Sequence, residues 1–319
     1  MNHLHFVDKY GSFTMDKPEN VSYLYFPLAS ETGLKSSLTP NLGGDAKIDQ
    51  ETFLLEPVSA ENLHSNRGVR NFWLVDEDGQ AFSVSGASAR QEADRFTPAQ
   101  DDSRLTAGLM WQTVERTAQD LGLDTEVTAF CPRQDNVEIL CITVRNQQEQ
   151  PRWLTPIAAV PLYGRSADNI RDHRNVTSML HRIWTTENGV MVRPTMSFDE
   201  RGHRPNHKVY YVEGFGPEGQ KPEAFYPTVE SFLGEGGTYL HPRAVYEQYP
   251  GVKAGSRAEG REAMGAFRFP AITLAPGQEA HYVLLLGVED SEEAVNAIWD
   301  KYHSLSLIHI SEPTRQEAI

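Results

Sequence analysis

Apolar and polar residues alternate in short runs along most of the chain, and clusters of Gly, Pro, Asn and Asp separate the runs. Period-two alternation places one face of a strand in a core and the other in water. Its recurrence predicts an all-β, antiparallel sandwich with few helices. Residues 126–131 and 137–144, joined through Pro132, Asp135 and Asn136, read as a hairpin. A second hairpin is predicted from 272–274 and 281–288, because Ala275-Pro276-Gly277-Gln278 between them fits a type II turn. Residues 282–288 are apolar on both faces, as in a strand covered on both sides. The clearest helix comes last. Asp290 or Ser291 can cap it, Glu292 and Glu293 suit its N-terminal end, and Val295, Ile298, Trp299 and Tyr302 share one face. This short amphipathic helix is expected to leave the sandwich toward whatever follows. Residues 1–289 form the sandwich domain and 290–303 the start of a helical linker in this reading.

Composition narrows the possible partners. Of 319 residues, 39% are hydrophobic and 23% charged, ordinary for a chain that buries a core. The net charge of −15 argues against nucleic acid and against an anionic membrane, since both repel such a surface, and leaves a neutral ligand compatible. No run approaches the roughly 20 apolar residues of a membrane-spanning helix, and residues 1–10 lack the apolar centre of a signal peptide. A cytoplasmic protein is expected. Cys131 and Cys141 match no zinc or redox spacing and read as reduced core residues.

The most unusual segment is 161–175, where Arg165, Asp168, Arg171, Asp172 and Arg174 join His173 and two Asn after an apolar strand. Guanidinium and carboxylate groups at a strand end offer directional hydrogen bonds to sugar hydroxyls. The competing reading is a solvated loop whose charges pair with one another. Residues 197–204 form a second polar knot. Asp172, His173, His181, His203 and His207 have no compact metal-ligand spacing, so no metal is expected. Asp199 and Glu200 are adjacent, and on a strand they point to opposite faces, unsuited to flank one bond. The glycine run in 230–237 has neither a dinucleotide-binding nor a phosphate-loop pattern and reads as a turn. Trp73, Trp111, Trp153 and Trp184 read as core aromatics, and the glycine- and charge-rich residues 251–265 as a mobile loop.

Several blocks carry a resemblance. Tyr23-Leu-Tyr-Phe-Pro-Leu28, Ser36-Ser-Leu-Thr-Pro40, Gly44-Asp45, Phe53-Leu-Leu-Glu-Pro-Val58, Arg70-Asn-Phe-Trp73 and 161–175 occur in order, followed by Leu180-His-Arg182, Arg193-Pro-Thr195, 197–203 and Phe232-Leu-Gly-Glu-Gly-Gly237. Together they make residues 10–302 similar to the 1,2-β-oligoglucan phosphorylases of glycoside hydrolase family 94. The resemblance implies a large antiparallel super-β-sandwich, followed in complete members by a helical linker and an α/α-barrel catalytic domain. It implies inverting phosphorolysis of a β-1,2-glucosidic bond to α-glucose 1-phosphate, with inorganic phosphate as co-substrate and no cofactor. No catalytic residue is assigned in this chain, because the acid belongs to the barrel. The resemblance also places Arg165, Asn169, Arg171, Asp172 and His173 at the acceptor-side sugar of a β-glucan oligosaccharide or at a homodimer interface. The alternatives are a phosphorylase of another linkage, such as that of cellobiose, a stand-alone carbohydrate-binding module and a dimerisation module. Residues 305–315 resemble the in-frame translation of a sequencing adapter, so 304–319 are set aside as artefactual. The natural product is then expected to continue beyond this chain.

Overall fold

The computed structural model describes residues 4–303 except 22–23, 60–61, 63–65, 171–173 and 200–201. It is a large antiparallel sandwich. One sheet has eleven strands, in the order Leu4–Phe6, Phe13–Asp16, Asp102–Gly108, Trp111–Ala118, Leu123–Phe130, Val137–Asn146, Glu279–Glu289, Val209–Phe215, Gly189–Pro194, His181–Thr185 and Arg257–Glu259. The opposing layer combines a six-stranded sheet centred on Arg152–Leu162 with a four-stranded sheet running from Phe26–Ala29 to Thr52–Leu55. Alternation along each strand decides which side chains meet between the layers. Leu123, Val127, Leu140, Ile142, Leu284 and Leu286 from the large sheet pack with Phe72, Leu74, Leu154, Val160 and Phe267 from the smaller one.

The apolar stretch in Glu279–Glu289 is covered on both faces, as its sequence requires. Leu284 and Leu286 enter the central core, while Val283 and Leu285 face outward beneath the helix Glu292–His303. That helix buries Val295, Ile298, Trp299 and Tyr302 against the outer side of the sheet. It therefore lies along the sandwich through His303 and does not depart from it within the described residues. The reason is the second apolar face, which would otherwise be exposed. The Leu123–Phe130 and Val137–Asn146 hairpin is present.

The second predicted hairpin is not. The turn forms, with Gln278 N donating to Ala275 O at 3.0 Å and Gly277 at φ +72°. Its flanking strands nevertheless enter different sheets: Ile272–Leu274 pairs with Arg152–Leu162, and Glu279–Glu289 pairs with Val137–Asn146 and Val209–Phe215. Buried Asn146 holds the crossing. Its N–H donates to Gln278 O, its carbonyl accepts from Gly277 N and its amide donates to Leu274 O.

Three smaller expectations also change. Trp73 is core and Trp111 and Trp184 are partly buried, but Trp153 is exposed, because the strand alternation turns it outward. Within 230–237 the chain makes a short helix, Val229–Leu233, capped by Thr228, before its glycine turn. Residues 251–265 include the edge strand Arg257–Glu259 and hydrogen bonds to Thr185, so this stretch is tied to the large sheet. Cys131 and Cys141 are free and buried, and burial pushes the Cys141 thiol up to about 12.

Candidate functional site

The blocks at 53–58, 161–170, 180–182, 197–206 and 229–237 are far apart in sequence and meet at one end of the sandwich. Backbone pairing brings the first two together. Tyr163 N donates to Leu54 O, Gly164 N to Phe53 O, and Phe53 N returns to Arg165 O at 3.0 Å. The Ser166 hydroxyl then reaches the Phe198 carbonyl, which ties in the hairpin of Met196–Asp199 and Gly202–Pro205.

Arg165 is the centre of this junction. Its side chain is buried, and one guanidinium nitrogen pairs with Glu262, whose side chain is 26% exposed. Its Nε donates to His181 Nε2 at 3.4 Å, and the guanidinium lies 4.9 Å from the Tyr163 ring centroid. His181 Nδ1 lies 3.2 Å from the Arg261 carbonyl. A carbonyl can only accept, so the proton sits on Nδ1 and the lone pair of Nε2 faces Arg165. Burial, reinforced by the Arg165 charge, pushes the His181 imidazole down to about 3. It is a neutral acceptor that fixes the guanidinium.

The sequence-selected residues therefore divide. Arg165 and Asn169 are 2% and 3% exposed and turn inward. Asn169 accepts from the Ser166 hydroxyl at 3.1 Å. In this arrangement they hold the path of the 163–170 segment. Arg171, Asp172 and His173 lie outside the described residues. Glu262 and the pairing role of His181 were missed by the sequence reading. Glu262 lies 97 residues from Arg165, and no local pattern links them.

A cavity of about 40 Å³ beside the junction is lined by Glu56, Asn62, Tyr163, Tyr239 and Glu262, among others. That volume suits ordered water and is far below the ~300 Å³ at which small-ligand pockets begin. Among the described residues no group of three or more His, Cys, Asp or Glu could hold a metal ion, and no helix is long and apolar enough to cross a membrane.

A second buried charge lies between the layers. Arg70 and Glu138 are both inaccessible and are joined by Nε to Oε1 at 2.5 Å and Nη2 to Oε2 at 3.1 Å. Arg70 also donates to the carbonyls of Leu42, Gly43 and Asp45, and the Ser36 hydroxyl completes the set. Gly44 must be glycine here. It has φ +107°, and an added Cβ would meet the Ser37 carbonyl at 1.8 Å.

The family profile described as glycosyl hydrolase 94, supersandwich domain, matches residues 46–305. The chain belongs to this family. Among solved structures, a bacterial glucoamylase complexed with acarbose is 8% identical with a TM-score of 0.45, covering 97% of this chain and 38% of its own. A protein assigned as a kojibiose phosphorylase from the human microbiome is 8% identical, with a TM-score of 0.46 and coverage of 99% and 38%. One assigned as an aldose 1-epimerase from Escherichia coli K12 is 10% identical, with a TM-score of 0.41 and coverage of 83% and 99%. This chain spans about 38% of the length of the glucoamylase and of the phosphorylase. No curated protein matches the chain.

Proposed function

We propose that this supersandwich domain is the N-terminal part of an inverting glycoside phosphorylase acting on β-1,2-linked glucooligosaccharides. The observation that carries the family part of this reading is the profile match over 46–305, and the β-1,2 linkage rests on the sequence blocks that resemble the 1,2-β-oligoglucan phosphorylases. On this reading residues 304–319 are set aside as adapter-like, and the catalytic acid and phosphate ligands belong to an α/α barrel outside this sequence. Inorganic phosphate replaces the water of an inverting hydrolase in that scheme. The loop after the Arg165 junction works by positioning. Arg165 and Asn169 hold its base, and Arg171, Asp172 and His173 meet acceptor-side glucose or the partner subunit of a cytoplasmic homodimer.

Two experiments test this. Re-reading the source DNA downstream of codon 303 by a method without transposon adapters should show an open frame continuing into a helical barrel; a stop codon there sinks the enzyme reading. The longer product should then release glucose 1-phosphate from β-1,2-glucooligosaccharides in phosphate, while the 319-residue chain releases none. Preference for a β-1,4-linked substrate would move the assignment to another linkage.

A further inference from the structure

The sheet face beneath the helix Glu292–His303 carries a buried carboxyl group. In the strand Val209–Phe215, Tyr211 and Phe215 pack in one cluster with Val295, Ile298 and Trp299 of the helix. Alternation puts Glu213, which stands between them, on the same face. Leu285, its partner across the strand pair, belongs to that cluster too. Glu213 is fully buried, a costly place for a carboxyl group that lacks a cation.

Its hydrogen bonding suits the neutral acid. Oε1 accepts one long bond from the Thr186 hydroxyl, at 3.4 Å, and Oε2 has no partner. Asn188 is a hydrogen-bonding neighbour of the carboxyl, and its Oδ1 is also buried without a donor. A proton on Glu213 can serve both acceptors, whereas an ionised carboxylate serves neither. Burial accordingly pushes Glu213 up to about 8. The charges around it do not favour an anion. Glu292, in the first turn of the helix, acts on Glu213 with like sign. Glu293 is drawn to Arg193, which stands four residues along its strand from Gly189, the residue opposite Glu213. In the neighbouring turn Glu187 is paired with Lys221. Beyond Tyr211, burial pushes Glu289 up to about 7, helped by Asp290 and Asp135. Lys208 pairs with Asp290, Asp135 takes Lys301 and the Tyr302 hydroxyl, and His303 stacks on Trp299.

An ionised Glu213 needs water, so one of the elements around it must open. The strand that carries it is fixed on both sides by ladders, to Gly189–Pro194 and to Glu279–Glu289. The helix is held by one apolar face and by exposed pairs such as Lys301 with Asp135. Segments with few ties open locally before a sheet does, and the helix is such a segment.

We propose that the helix Glu292–His303 is a proton-locked strap, seated on the sheet while Glu213 is neutral and released locally when Glu213 ionises. The inference is independent of the phosphorolysis reading, because it requires no catalytic domain. The seated form keeps its proton up to about pH 8 and the released form only to about 4.5, so release becomes easier as pH rises between these values and levels off above them. Hydrogen exchange of the 319-residue chain, read by mass spectrometry on residues 291–303 and corrected for the intrinsic pH dependence of exchange, tests this. Protection of the helix should fall by up to about tenfold per pH unit from pH 5 to 8 and then level off. Glu213→Gln keeps the shape, cannot ionise and should abolish the fall between pH 7 and 8, while Glu289→Gln should leave that fall in place. A flat profile in the unaltered chain overturns the proposal without any variant, as does a fall that survives Glu213→Gln. An equal loss of protection in the strand Val137–Asn146 overturns it too, by showing that the whole sandwich opens. Loss confined to residues 186–190 overturns it by placing the opening at the turn.

Discussion

Two buried arginines divide the family-like sequence blocks between them. Arg70 lies between the layers, its partner Glu138 is fully enclosed, and its remaining donors go to three carbonyls and a hydroxyl. Arg165 lies at a chain crossing near the surface, paired with a partly exposed carboxylate and a neutral imidazole. The first fastens the four-stranded sheet to the large sheet, since Ser36 and the 42–45 turn are on one side and Glu138 on the other. The second fixes the base of a loop. Similar residues in similar burial thus join two layers in one place and fasten a chain crossing in the other; the difference lies in what their partners belong to.

Breaking the first should have the largest effect. Arg70→Met leaves Glu138 charged and unpaired, at a cost of about 3–5 kcal/mol, read as a lower urea midpoint. The double variant Arg70→Met/Glu138→Leu should recover only part of this, because the 42, 43 and 45 carbonyls lose their donor. A single-variant loss below about 1 kcal/mol would remove the contrast between the two sites. At the loop end, Arg165→Met should cost about 1.5–3 kcal/mol, the range for a hydrogen bond to a charged group. It should also accelerate tryptic cleavage near Arg171, whereas Arg70→Met at matched stability should not.

The pH dependence sharpens the comparison further. Neutral His181, held down to about 3, refuses a proton that the unfolded chain takes below about 6.5. Its contribution is therefore complete above pH 6.5 and is lost as pH falls toward 3, by up to about 1.4 kcal/mol per unit. Glu213 works in the opposite sense. Burial pushes it up to about 8 from the ordinary carboxyl value of 4.5, so its contribution is present below 4.5 and is lost as pH rises to 8. Burial also pushes Glu289 up to about 7, so it acts in the same sense as Glu213 over pH 4.5 to 7. In urea titrations the His181 slope should offset part of the fall between pH 4.5 and 6.5, with stability falling more steeply above that; His181→Gln should steepen the fall in the lower window, and Glu213→Gln should reduce it in the upper one. Unchanged profiles would mean that neither group is held in the stated form. The smallest effect should come from the surface. Arg145→Ala, which removes an exposed pair with Glu279, should leave the urea midpoint essentially unchanged.

Much of the architecture was legible in local pattern. Alternation gave the strands, Pro276-Gly277 the turn, and the spacing of Val295, Ile298, Trp299 and Tyr302 the helix face. The polar segment at 161–175 stood out by composition alone. What was not legible was partnership. The strands on either side of Pro276-Gly277 look like a hairpin until Asn146 and Arg152–Leu162 claim them for different sheets. Arg165 looks like a surface ligand until His181 and Glu262 enclose it.

The sequence by itself determined that this chain folds as an antiparallel β-sandwich with a final amphipathic helix, because periodicity and turn chemistry act over a few residues. Tertiary structure alone decided which strands cross between layers, where that helix docks, and which charges are interior. Those outcomes depend on groups far apart in sequence, 128 residues between Asn146 and Leu274 and 167 between Asp135 and Tyr302 of the docked helix. Such pairs become neighbours only once the layers close and each buried donor must find an acceptor.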